Sequence, residues 1–179
     1  MLHFIKSFFL KKYLSKHTVT RNVQISSIVS AKSIAFLCEI TEDESSYKEV
    51  IKLFTQLQKS NRHLWLIGYI DKKEIPFFCI QQLTVDFISK KDFSWFGKPI
   101  KVQICDFINS NFDLLIDFTQ RPLLPIQSIL SLSQAHFITG SNDANKDLYD
   151  LHIKSSYPFT PKELLENINI YTKKLTGEI

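Results

Sequence analysis

Glycine is scarce in this chain, with four residues in 179, at positions 68, 97, 140 and 177. Phosphate-cradling loops are built from clustered glycines. Four isolated ones exclude both the G-x-G-x-x-G dinucleotide pattern and the P-loop. Arginine is scarcer still: Arg21, Arg62 and Arg121 stand alone, leaving 22 − 3 = 19 of the Lys+Arg total as lysine. Base readout and phosphate clamping favour the planar guanidinium fork, so sequence-specific nucleic-acid binding is not expected. Cys38, Cys79 and Cys105 are few, far apart and without a C-x-x-C pair, which excludes a disulfide scaffold or a zinc ribbon. Cys38 and Cys79 fall in apolar runs and read as inert buried thiols, a usage that suits a reducing, cytoplasmic setting. No run approaches the ~18 apolar residues of a membrane span.

What is present describes a globular chain: 44% hydrophobic, 22% charged, formal net charge +4. Two strand-helix-strand units stand out. In the first, the apolar run Ser33–Ile40 precedes an acidic loop and a helix whose Tyr47, Val50, Ile51, Phe54 and Leu57 recur at helical spacing. Ser46 and Glu49 form its capping-box pattern, and Leu64–Ile70 is the returning strand. In the second, strand Phe112–Phe118 leads to a helix opening at Pro125 and to the strand Ala135–Thr139. Short strands are expected at Phe77–Ile80, Leu83–Ile88 and Leu148–Ile153. Thr160, Pro161 and Glu163 start a last helix that Gly177 ends.

The lysine-rich start, residues 1–17, predicts a basic amphipathic helix with Leu2, Ile5, Phe9 and Tyr13 on one side, Phe4 and Phe8 beside them. Packing of this helix on the domain or on another subunit is the preferred reading. A peripheral membrane contact through residues 2–14 is the alternative. The expected organisation is an N-terminal helix and connector over 1–30 and a single α/β domain over 31–179. Its fold class is a three-layer sandwich with a mostly parallel sheet of about five strands.

In open α/β sheets, ligands gather at the carboxyl ends of the strands, so candidates are sought there. Glu42 and Asp43 follow the first strand, Asp117 and Thr119 end the third long one, and Ser141 follows Gly140. Glu42, Asp43 and Asp117 could share Mg²⁺ if they converge; helix-capping acids and a strand-end aspartate are the simpler reading. A phosphoacceptor receiver layout does not fit, because 12 residues between Ser141 and Lys154 leave no room for a crossover helix. The histidines at 3, 17, 63, 136 and 152 show no ligand spacing, and no G-x-S-x-G elbow occurs. No catalytic residue, metal site or cofactor is therefore expected. Ser89–Pro99 interleaves lysines with Phe93, Trp95 and Phe96. Trp95 is a candidate lid or contact residue, and the segment could pin itself over apolar surface or meet a partner.

Several segments together, Phe36–Asp43, Lys91–Gly97, Phe112–Asp117 and Leu132–Gly140, resemble an uncharacterised domain-of-unknown-function family of short Bacteroidota proteins. That resemblance implies a Rossmann-like α/β fold and supplies no activity. Locally, residues 112–140 are similar to a strand-helix-strand unit in the acceptor domain of heptosyltransferase-like glycosyltransferases. Those enzymes hold their donor between two such domains, which one domain of this length cannot supply. The leading expectation is a non-catalytic binding or protein-interaction module, with a protein partner or homo-oligomer possible. The competing class is a Mg²⁺-dependent enzyme on a phosphorylated or sugar substrate.

Overall fold

The computed structural model describes residues 2–41, 43–58, 62–155 and 158–178, the Ser46 side chain apart. Six strands form one sheet: β1 Ser33–Glu39, β2 His63–Ile70, β3 Val85–Ser89, β4 Leu114–Asp117, β5 Ile138–Gly140 and β6 Leu151–His152. Their order is β3-β2-β1-β4-β5-β6, and every neighbouring pair is parallel. This is the doubly wound Rossmann order.

Strand side chains alternate between faces, and β1 shows what that does. Ile34, Phe36 and Cys38 enter one core with Tyr47, Val50 and Phe54 of α2 (Glu44–Gln58) and Leu164, Leu165 and Ile168 of α5 (Pro161–Thr176). Ala35 and Leu37 enter the other core. There they meet Ile104 and Phe107 of α3 (Val102–Asn109) and Ile126 and Ile129 of α4 (Leu124–Leu132). Burial on both faces is why β1 reads as a continuous apolar run.

The structure differs from the sequence expectations at identifiable places. The sheet itself, six parallel strands among the described residues, agrees with the expected mostly parallel sheet of about five. Residues 71–111 read from the sequence as mixed and extended, yet Val102–Asn109 is helix α3, burying Ile104, Phe107 and Ile108 on one face. Phe77–Ile80 is a turn, closed by the Cys79 N–H donating to the Pro76 carbonyl at 3.0 Å, with Phe77 fully in solvent. Helix α2 starts at Glu44, and Asp43 Oδ1 accepts from the Ser45 N–H at 3.0 Å, so Asp43 caps it ahead of the Ser46–Glu49 pattern. Helix α5 ends as its residues dictate, with the Thr160–Glu163 capping box and Gly177 left-handed at φ 72°.

Helix α1 (Leu2–Leu14) packs across α4. Its docked side centres on Leu10, with Tyr13 and Leu14 partly buried beside it, instead of on the Leu2–Ile5–Phe9 stripe. The basic aromatic segment meets the same helix: Phe9 lies edge-on to Trp95 at 5.1 Å, and Tyr13 to Phe96 at 6.1 Å. Docking through Leu10 predicts that Leu10→Ala costs about 2–5 kcal/mol in urea denaturation, while exposed Phe4→Ala stays within about 0.5 kcal/mol. Equal effects of the two substitutions would mean that α1 unfolds apart from the domain.

Candidate functional site

Strands β1 and β4 lie side by side, yet α2 and α4, which follow them, cover opposite faces of the sheet. The loops leaving the two strands therefore part, and a crevice opens over their carboxyl ends. Four charged residues meet there, each just beyond or at a strand end. Arg121, in the loop after β4, donates through Nε to both Glu39 carboxylate oxygens at 2.9 Å and through Nη2 to Glu39 Oε1. The same Nη2 donates to Asp71 Oδ2 at 2.9 Å. The other Asp71 oxygen takes the Tyr69 hydroxyl at 3.0 Å and pairs with Lys90 Nζ at 3.1 Å.

This network fixes the guanidinium as a planar fork. Nη1 takes part in none of these bonds, so one edge of Arg121 is left for a further acceptor. Burial pushes the Asp71 carboxyl up, but hydrogen bonds from Lys90, Arg121 and Tyr69 outweigh it and hold the group below the usual carboxylate range. Tyr69 is pushed up by burial and by the Asp71 charge. Arg121 is raised by its bond to Glu39 and by Asp71.

Next to the network lies a cavity of about 330 Å³. Arg121, Lys90, Asp71 and Tyr69 line one side; His3 and Lys6 reach it from α1, and Phe93, Trp95 and Phe96 wall it. Leu123–Pro125, the start of α4, closes the end. That helix has Leu123 at its N-cap with no side-chain cap, and no acid in its first turn. The positive dipole end of the helix therefore meets the cavity with no acid against it, although Pro125 brings no N–H. Gly97 holds the aromatic turn against this helix: at φ 98° it takes a conformation that favours glycine, and a Cβ would lie 3.2 Å from Leu124. Its carbonyl accepts from Ser128 Oγ at 2.7 Å.

The sequence candidates distribute around this crevice unevenly. Trp95 lines it. Asp117, Thr119 and Ser141 share the carboxyl ends of β4 and β5, with Gly140 paired to Asp117 in register. Asp43 caps α2 on the other face of the sheet, and Glu42 lies outside the described residues. Asp117 follows Leu115 in alternation, so its carboxylate points to the α3–α4 face, away from Asp43. Among the described residues, no three His, Cys, Asp or Glu side chains are grouped to hold a metal. Glu39, Asp71, Lys90 and Arg121 were not singled out, although Glu39 ends β1 and Asp71 immediately follows β2. The rule that ligands gather at strand ends reaches Glu39, Asp71 and Lys90, and Lys90 also opens the segment of interleaved lysines and aromatics; His3 has no signal in the sequence.

Asp117 is fully buried and does a structural job. Its carboxylate accepts from the Tyr149 hydroxyl at 2.6 Å, the Thr119 N–H at 2.9 Å and Asn145 Nδ2 at 3.3 Å. Burial raises its pKa, and these bonds oppose the rise. Tyr149 reaches it across Gly140, where an added Cβ would meet the ring at 2.6 Å. Asn142 ties this cluster to the crevice, donating to the Arg121 carbonyl at 2.8 Å. Ser141 Oγ is buried without a hydrogen-bond partner.

Tyr149→Phe removes the shortest bond to a buried carboxylate and should cost about 1.5–3 kcal/mol at neutral pH. The sign follows from the raised folded pKa: stability from this group is full below the unfolded carboxylate value and falls as pH rises through the folded one. The variant raises that pKa further. Its deficit in urea denaturation should therefore be largest near neutrality and shrink as pH falls; a deficit constant with pH would contradict it.

The chain matches the family of unknown function DUF6913 over residues 6–175. Among curated proteins, none matches. Of solved structures, it is similar to E. coli heptosyltransferase WaaC with ADP, at 14% identity and TM-score 0.44, covering 78% of this chain and 47% of that one. The same enzyme with ADP-2-deoxy-2-fluoro heptose gives 17% identity and TM-score 0.40, covering 80% and 48%. The chain thus spans about half the length of that enzyme. With the family match running through all six strands, this chain belongs to the DUF6913 family.

Proposed function

We propose that the chain is a non-catalytic binding module whose crevice takes a small molecule carrying both an acidic group and a flat ring. The observation that supports this reading best is the convergence on one aromatic-walled cavity of Arg121, Lys90, Lys6 and the uncapped start of α4. The cations and the positive dipole end of α4 suit a phosphate or carboxylate. Trp95 and Phe96 suit a ring. At about 330 Å³ the space matches a small ligand.

Binding without turnover fits the electrostatics. A general acid or base works best with a pKa near the operating pH. Asp71 is held low and Tyr69 and Arg121 are pushed high, so these three lining groups sit far from that range. The Mg²⁺-dependent alternative needs Glu42, Asp43 and Asp117 to converge; Asp43 caps α2, Asp117 faces the α3–α4 side, and Glu42 lies outside the described residues.

Thermal unfolding in the presence of inorganic phosphate, ribose 5-phosphate or AMP tests the proposal. AMP should raise the midpoint most, since it alone offers a flat aromatic ring together with phosphate, and Arg121→Gln should abolish the rise. Stabilisation of about 2.7 kcal/mol is expected at a concentration a hundredfold above Kd. No shift with any of the three, or an undiminished shift in Arg121→Gln, would overturn it. Mg²⁺-dependent release of phosphate from either ester would overturn its non-catalytic part.

A further inference from the structure

Helix α1 does more than pack on the domain: its outward side is apolar, basic and uncovered. Phe4 is 79% exposed, Phe8 59% and Trp95 55%, with Leu2 and Ile5 also in solvent. These groups are contiguous. Phe8 meets Phe9 at 5.8 Å, Phe9 meets Trp95 at 5.1 Å, and Trp95 meets Phe96 at 5.5 Å. Apolar patches of this kind on soluble proteins mark interaction sites.

The charge around the patch has one sign. Residues 1–38 hold Lys6, Lys11, Lys12, Lys16, Arg21 and Lys32 and no Asp or Glu. The adjoining segment adds Lys91, Lys98 and Lys101; Lys90 there is paired with Asp71, and the Asp92 carboxylate is taken by the Ser89 N–H at 2.7 Å. Among the described residues, Lys6, Lys11, Lys12 and Lys16 make no ion pair.

We propose that this face, formed by α1 and the turn around Trp95, docks on an anionic membrane surface. Lysine ammonium groups interspersed with exposed Phe, Leu, Ile and Trp suit an anionic interface, where apolar side chains enter the acyl boundary and cations meet the headgroups. The helix is about 20 Å long, and no helix of the described residues is long and apolar enough to cross a membrane. It therefore lies in the interface plane.

Charge and composition separate this occupant from two others. A second copy joined through the same face would set its unpaired lysines against themselves with no acid to relieve them. A nucleic acid would use stacking rings and arginine forks. Leu2 and Ile5 cannot stack, while Arg21 is engaged with Asp150 and Arg62 with the Ile28 and Val29 carbonyls. Because His3 and Lys6 line the crevice from this same helix, docking sets the crevice mouth beside the lipid headgroups. The surface is argued from α1 itself and does not depend on a crevice ligand.

Flotation of the full chain with phosphatidylcholine vesicles, with and without phosphatidylserine, tests this. Binding should require phosphatidylserine, weaken with added salt and shift Trp fluorescence to the blue. Phe4→Ser with Phe8→Ser, and separately Lys11→Glu with Lys12→Glu, should each weaken it at least about tenfold at unchanged thermal midpoint. Both pairs are exposed and outside the crevice lining, so folding and AMP binding are read independently of flotation. Failure to float, equal binding to neutral vesicles, or binding untouched by either pair would overturn the proposal. So would dimerisation in sedimentation velocity that Phe4→Ser with Phe8→Ser abolishes, or retention on single-stranded DNA without any on vesicles.

Discussion

The handedness of crossover connections governs this molecule. A parallel strand-helix-strand unit is right-handed in nearly all proteins, so the direction in which the chain steps along the sheet decides which face its helix covers. From β1 the chain steps outward to β2 and β3; from β4 it steps the opposite way to β5 and β6. Helices α2 and α4 must then lie on opposite faces, and the loops after β1 and β4 must diverge. The crevice, the two separate cores and the double-sided burial of β1 all follow from that reversal.

Two strand-end aspartates show how the resulting environments set chemistry. Asp71 stands at the crevice, partly in solvent, with Lys90, Arg121 and Tyr69 as donors, and its carboxyl is held low. Asp117 lies inside the α3–α4 face with only neutral donors, Tyr149, Thr119 and Asn145, and burial pushes it up. The residue type is the same and the distance from a strand end is similar. What differs is the face of the sheet and the charge of the neighbours. One aspartate positions a cation at a cavity; the other organises a loop beneath it.

The N-terminal helix joins these themes. It is held by one buried side chain, Leu10, and by ring contacts to the turn that Gly97 presses against α4. From that position it offers His3 and Lys6 to the crevice and Phe4 and Phe8 to solvent. A single short element thereby completes the wall of the cavity on one side and leaves a basic apolar surface on the other.

The amino-acid sequence determined the elements whose signals are local. Thr160, Pro161, Glu163 and Gly177 specify both ends of α5 because caps act within one turn, and the apolar runs of β1 and β2 specify strands buried on both faces. Helix α3 does carry helical spacing, Ile104, Phe107 and Ile108 at i, i+3 and i+4, but eight residues are too few to separate a helix from a short apolar strand by pattern, and Phe107 packing against Phe112 and Trp65 decides between them. The candidate site divides the same way. Asp117, Thr119 and Trp95 could be picked out by their places at strand ends or in an unusual loop. The pairing of Arg121 with Glu39 and Asp71, residues 82 and 50 positions away along the chain, was decided only when the sheet reversed direction. Side-chain identity is written in the chain; which charges face one another is fixed by strand order, and strand order is set by long-range packing that no local pattern encodes.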